Sequence, residues 1–113
     1  MTDCLFCTFA AGPMPPRVFE DDRCLAIADI NPQAPTHLLV IPRVHVATLN
    51  DLTREHEPLI GHLVGVAAKL MRDQGHAEAG WRTLFNVNRD AGQTVFHLHL
   101  HVLGGRQFGW PPG

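Results

Sequence analysis

The chain has 113 residues, of which 45% are apolar and 18% charged, with a formal net charge of −2 when its eight histidines are counted neutral. That is one domain's worth of ordinary globular sequence, expected to run as a single unit over residues 1–113, and its charge balance excludes a strongly basic nucleic-acid glove or polybasic membrane anchor. No apolar run reaches the length of a membrane span, and Met1-Thr2-Asp3-Cys4 lacks the basic and apolar regions of a signal peptide, so a cytoplasmic protein is expected.

In chain order, Cys4 to Ala11 reads as one or two helical turns, closed by the breaker cluster Gly12-Pro13-Met14-Pro15-Pro16. Val18-Phe19-Glu20 and Cys24 to Ile30 read as two strands joined by the turn Asp21-Asp22-Arg23. Pro32 and Pro35 keep Asn31–Thr36 irregular, and His37 to Pro42 is a compact β-rich run suited to a buried central strand. Thr53 to Gly75 is the one long helix, with Pro58 near its start and Gly75 as its stop. Leu59, Ile60, Leu63, Val64, Ala67, Leu70 and Met71 recur at helical spacing as its apolar face. Trp81 to Val87 is a further strand, Asn88 to Thr94 a polar loop, and Val95 to Leu103 a strand of alternating character ended by Gly104-Gly105. About five strands linked mainly by hairpins, with one long and one short N-terminal helix, predict an α+β fold on an antiparallel sheet.

The histidines carry the chemistry. His97, His99 and His101 alternate with Leu98, Leu100 and Val102, and residues two apart on a strand share a face. A solvated face would not need three imidazoles. A metal held by all three is disfavoured, because alternate residues lie roughly 6.6 Å apart and the outer pair about 13 Å. The remaining role is catalysis, with one neutral imidazole as nucleophile and its neighbours fixing its tautomer and meeting an anionic substrate. The preceding Gly92-Gln93-Thr94 offers backbone N–H groups and a hydroxyl suited to phosphate oxygens. Cys4-x-x-Cys7 in a reducing compartment suggests metal binding or redox chemistry, Cys24 a buried small hydrophobe, and His56, His62 and His76 solvated positions on or near the helix.

His97-Leu98-His99-Leu100-His101-Val102 resembles the signature of the histidine-triad (HIT) superfamily. The segments Cys4-Leu-Phe-Cys7, Asp29 to His37, Ile41 to His45, Gly92 to Phe96 and Gly104-Gly105-Arg106-Gln107 to Gly113 are similar to its Hint-like branch of nucleotide-binding hydrolases. The resemblance implies a HIT-like fold and a purine nucleotide ligand. His99 would attack the α-phosphorus to form a covalent nucleotidyl-histidine, His101 would contact the phosphate, and His37 would support the set. Asp29 would hold the ribose hydroxyls, with turn capping as its rival role. Ile30, with Leu5, Phe6, Phe9 and Ile27, would wall the base, unless these only pack the core. Asn86, Gly92, Gln93, Thr94 and Val95 would hold phosphate and leaving group, Thr94 taking part in catalysis. Cys4, Cys7, His45 and His97 match the structural zinc ligands of members with the Cys pair.

The implied reaction is hydrolysis of purine nucleoside 5′-phosphoramidates and of acyl or aminoacyl adenylates. The alternatives are a dinucleoside polyphosphate hydrolase or nucleotidyl transferase, and a non-catalytic, zinc-stabilised nucleotide-binding module. A homodimer is implied, with Trp81, Leu84, Phe108 and Trp110 as interface candidates, and neither nucleic acid nor membrane as partner. Ala91 and Asn88 stand where Gly is common in the family, which predicts a stiffer loop, and Phe96 stands where Tyr is frequent.

Overall fold

The computed structural model describes residues 3–113, so the expectation about the extreme N-terminus partly falls on Met1 and Thr2, outside the described residues. A short helix α1 (Leu5–Ala11) leads into strands β1 (Phe19–Glu20), β2 (Cys24–Ala28) and β3 (Thr36–Pro42). The long helix α2 (Glu57–Asp73) follows, then β4 (Trp81–Leu84) and β5 (Leu100–Gly104). The five strands form one sheet in the order β1-β2-β3-β5-β4, every neighbouring pair antiparallel.

The pleat divides the sheet's side chains into two sets. Cys24, Ala26, Leu38, Val40, Leu100 and Val102 share one face, which α2 covers with Leu63, Val66, Ala67, Leu70 and Met71. Leu25, Ile27, Leu39 and Ile41 share the other, where Phe6 of α1 joins them in a smaller cluster. The long central strand β3 is therefore buried along nearly its whole length, as its unbroken apolar run predicts. Among the described residues, no helix is long and apolar enough to cross a membrane.

Helix α2 starts later than Thr53. A separate 3₁₀ turn, Arg54–His56, precedes it, and His56 Nδ1 accepts the Thr53 N–H at 3.0 Å. Pro58 then sits in the first turn, where its missing N–H costs nothing. At the other end Gly75 has φ +83°, and the Gly75 and His76 N–H groups reach back to the Arg72 and Met71 carbonyls at 3.0 and 2.8 Å. This is a Schellman closure, which needs the left-handed residue that glycine supplies. The buried stripe includes Val66 rather than Val64, which is 42% exposed, because the helix rotates slightly from the phase its apolar residues suggest.

Four strands are shorter than expected: β1 begins at Phe19, β2 ends at Ala28, β4 at Leu84, and β5 begins only at Leu100. His97 and His99 therefore precede the strand. There the Leu98 N–H bonds the Val46 carbonyl at 2.6 Å instead of joining the sheet ladder. His62 and His76, expected as solvated positions, are half-buried and hydrogen-bonded. His62 Nε2 meets Asp21 Oδ2 at 2.6 Å, tying α2 to the β1–β2 turn, and His76 Nε2 meets Thr36 Oγ1 at 2.8 Å. Gly104 is needed under that second contact, since a Cβ there would lie 2.8 Å from the His76 ring.

Candidate active site and metal centre

The sheet face that α2 leaves free carries the histidines. On β3 and β5, Leu39 pairs with His101 and His37 with Leu103, so His37 and His101 are diagonal neighbours on one face. His37 Nε2 and His101 Nδ1 lie 2.9 Å apart. His99 stands just before β5, its ring centroid 5.0 Å from that of His101. A cavity of about 310 Å³ opens here, bounded by Leu5, Phe6 and Phe9 of α1, Ile27 and Leu39 of the sheet, and Ile30 at its rim. Ala28, Asp29, Asn86, Gly92, Gln93, Thr94, Val95, His99 and His101 complete the wall. Thus the whole expected nucleotide set, His37 excepted, lines one cavity, and His37 touches it through His101.

Backbone groups fix the tautomers, because a carbonyl can only accept and an amide N–H only donate. His99 Nδ1 donates to the His97 carbonyl at 2.8 Å, so its Nε2 is the bare nitrogen, with no protein partner among the described residues. His37 Nδ1 accepts the Gln33 N–H at 3.0 Å, which leaves its proton on Nε2. That proton points to His101 Nδ1 at 2.9 Å, with Asp29 Oδ2 further away at 3.4 Å. His101 Nδ1 accepts, and its Nε2–H remains for a ligand. Burial lowers the proton affinity of His99 and of His37. Burial, and then the neighbouring His99 and His37, push His101 down to about 4. At neutral pH the three rings are uncharged, one offering a lone pair and another an N–H.

Asp29 has both of the roles weighed for it: Oδ1 caps the turn by accepting the Asn31 N–H at 2.8 Å, while the carboxylate lies in the cavity wall. Gln93 differs from its expected role in one respect. Its side chain turns inward, accepting the Asn88 N–H on Oε1 and donating Nε2–H to the Ala47 and Val95 carbonyls. It braces the loop, and only its backbone remains to meet a phosphate. The loop holds one 3₁₀ turn, Arg89–Ala91, between two residues of positive φ, Asn88 at +62° and Gly92 at +78°. Asn88, with ψ −163°, lies outside the left-handed helical region, in a conformation that glycine adopts freely and other residues only under strain. Sequence reasoning passed over Leu39 in the cavity wall and Gln33 as the His37 donor. The two-residue spacing from His37 to Leu39 on one strand was the available signal for the first.

His97 turns away from this set. It is fully buried, its Nε2–H donates to the Pro42 carbonyl at 2.7 Å, and its Nδ1 faces Cys4 Sγ at 3.3 Å, Cys7 Sγ at 3.5 Å and His45 Nδ1 at 3.2 Å. Cys7 Sγ lies 3.4 Å from His45 Nδ1. A tetrahedral ion with bonds of about 2.0–2.1 Å to nitrogen and about 2.3 Å to sulfur would set N···N near 3.4 Å and S···N near 3.6 Å. The four donors match those edges, and His97 Nδ1 carries a lone pair because Nε2 holds the proton. Cys4, Cys7, His45 and His97 fit a zinc ion.

The HIT domain profile matches residues 16–108. A purine nucleoside phosphoramidase of Escherichia coli is 49% identical over 92 residues, covering 81% of this chain and 77% of that relative. A HIT-like protein of Synechococcus elongatus is 50% identical over 96 residues, covering 85% of this chain and 83% of that one. The chain belongs to the HIT family. Its fold superposes on a HIT family hydrolase from Legionella pneumophila with a TM-score of 0.95 at 52% identity, covering 98% of this chain and 100% of that one. On a histidine triad protein from Clostridium difficile the TM-score is 0.91 at 39% identity, with 96% of each chain covered. Of the three alternating histidines, His97 faces the cluster that could hold a metal ion and not the cavity.

Proposed function

We propose that this HIT protein is a nucleotide hydrolase acting on purine nucleoside 5′-phosphoramidates and on acyl or aminoacyl adenylates. The observation that carries this reading is the bare His99 Nε2 in a cavity with an apolar wall at one end and the His101 Nε2–H beside it. The base packs against Leu5, Phe6, Phe9, Ile27 and Ile30, and Asp29 takes the ribose hydroxyls. Backbone N–H groups of Gly92 to Val95, the Thr94 hydroxyl and Asn86 meet the phosphoryl oxygens. The likeness to a purine nucleoside phosphoramidase supports the substrate class.

His99 Nε2 attacks phosphorus, forming a P–N bond to the imidazole and breaking the bond to the leaving nitrogen or acyl oxygen. The His97 carbonyl, accepting from Nδ1–H, stabilises the positive charge that develops on the ring. A leaving amine takes up a proton from solvent water, while the His101 Nε2–H stays hydrogen-bonded to the phosphoryl group. Water then attacks the nucleotidyl-histidine, returns that proton to solvent, and releases the nucleoside monophosphate and free His99. Zinc bound at Cys4, Cys7, His45 and His97 would supply cross-linking between α1 and the segment before β5, and takes no part in these steps. We further propose a single catalytic domain, a homodimer and a cytoplasmic setting. Exposed Trp110 and the edge strand β4 are the surfaces that suit such a dimer.

Rapid mixing with adenosine 5′-phosphoramidate, acid quench and peptide mass spectrometry tests the reading. The expected adduct is one adenylyl group on His99. Turnover with no adduct there, or an adduct on another residue, overturns the nucleophile.

A further inference from the structure

Two arginines stand beside the triad with no assigned role. A second cavity, of about 270 Å³, shares His101 and Asn86 with the first, and Arg82 and Arg106 stand in its wall. Phe108 lies between them, its ring centroid 4.2 Å from the Arg106 guanidinium and 5.2 Å from that of Arg82. Backbone carbonyls hold both groups in place. Arg106 donates to Gln33 at 2.8 Å and Gln107 at 3.0 Å, and Arg82 to Gly109 at 3.1 Å. Those acceptors are neutral. No carboxylate lines the cavity, and no ion pair among the described residues includes either arginine. Each guanidinium has five N–H donors, and these bonds use two on Arg106 and one on Arg82. Two fixed positive charges with spare donors therefore border a cavity whose remaining titratable neighbours, His37 and His101, are neutral.

Position gives these charges a use. The apolar wall fixes the base end of a nucleotide, and His99 fixes its phosphorus. What is attached beyond phosphorus continues past His101 and Asn86, the two residues common to both cavities. We infer that the second cavity is a leaving-group subsite in which Arg82 and Arg106 bind a compact oxyanion, a carboxylate or a phosphate, carried by the departing group. This rests on the hydrolase reading above and sharpens it: a phosphoramidate made on the amine of an amino acid, or a polyphosphate chain, uses both arginines, whereas unsubstituted ammonia uses neither. The planar, multi-donor guanidinium suits such anions. Arg106 also holds Gln33, whose N–H sets the His37 tautomer, so an anion at Arg106 lies two hydrogen-bonded residues from the His37–His101 pair.

The decisive comparison uses adenosine 5′-phosphoramidates of alanine and of alaninamide, which differ in the carboxylate alone. The wild-type protein is expected to favour the acid in kcat/KM by about tenfold or more, as one or two charge-assisted hydrogen bonds would give. Arg106→Gln and, separately, Arg82→Gln are expected to bring that ratio towards one, which a purely structural role for the arginines would not do. Calorimetric binding of both conjugates, and of ADP and AMP, to His99→Ala protein reads the subsite without turnover. Tighter binding of the alanine conjugate marks carboxylate recognition, and tighter binding of ADP marks phosphate recognition. Equal affinity within both pairs, or a preference that survives both arginine substitutions, overturns the subsite. Absence of turnover by the wild type alongside a binding preference overturns the hydrolase reading and leaves the subsite standing.

Discussion

The two faces of the sheet are built from the same strands and follow opposite rules. The face under α2 is dry and apolar, with Leu63, Ala67, Met71, Val40 and Val102 almost wholly excluded from solvent. The opposite face is covered by the seven-residue α1 and the loop around Val95, so β5's neighbourhood there is left open for His99, His101 and Asp29. Burial on one side stabilises the scaffold. Incomplete burial on the other leaves a cavity whose polar groups are held by backbone bonds, beside the Cys4, Cys7, His45 and His97 cluster that could hold a metal ion. The lesson is that a small sheet can keep one face for stability and one for chemistry, provided that something other than a large helix anchors the second.

Substitutions should separate the faces. The largest effect belongs to His99→Ala, expected to lower turnover of adenosine 5′-phosphoramidate by roughly 10³-fold or more. Its urea midpoint and AMP affinity should stay close to wild type; a large loss of stability would show that the open face is also structural. Next is Leu63→Ala on the covered face, expected to cost about 2–5 kcal/mol of unfolding free energy, read by urea denaturation, because it empties a fully buried site. Activity of the fraction still folded should be preserved. Metal removal comes third. Elemental analysis of protein purified without chelator should give one zinc per chain, and Cys7→Ser should abolish it. That variant is expected to lose about 2–3 kcal/mol and to weaken nucleotide binding, since α1 carries part of the base wall.

The smallest effect is one of pH. Burial and the adjoining His99 and His37 hold His101 down to about 4, with Asp29 opposing. A folded-state value below the ordinary one means that protons favour the unfolded chain. The contribution of His101 to stability is therefore fully present above its ordinary value near 6.5 and is lost as pH falls towards 4. Nitrogen-resolved NMR at pH 5.5 should find its ring neutral, with the proton on Nε2. A protonated ring at that pH would mean that the open face is wetter than its burial implies.

Much of this was legible in the chain itself. The long apolar helix with Pro58 and Gly75 at its ends, the central run from His37 to Pro42, and the hairpin order of the strands all follow from local periodicity and turn chemistry. The family resemblance collected Asp29, Asn86, Gly92 to Val95 and the histidines as one candidate set, because its motifs occur in order along the chain. Local pattern could not show that Val66, not Val64, faces the core, since the helix phase is set by what it packs on. Nor could it show His62 on Asp21 or His76 on Thr36, pairs that lie 41 and 40 residues apart.

The amino-acid order alone determined the elements and the sheet class, since these depend on neighbours within a few positions, and its family resemblance supplied the candidate site side chains. Tertiary structure decided how those side chains divide their work. Alternation predicts His97, His99 and His101 on one face, yet Leu98 bonds Val46 outside the ladder and the Pro42 carbonyl draws His97 inward to the cysteines. The tautomers were decided the same way, by the carbonyl of His97 and the amide of Gln33, and so were the unpaired arginines beside His101. A ring's proton is placed by whichever backbone group meets it, and those meetings exist only once distant segments have packed together.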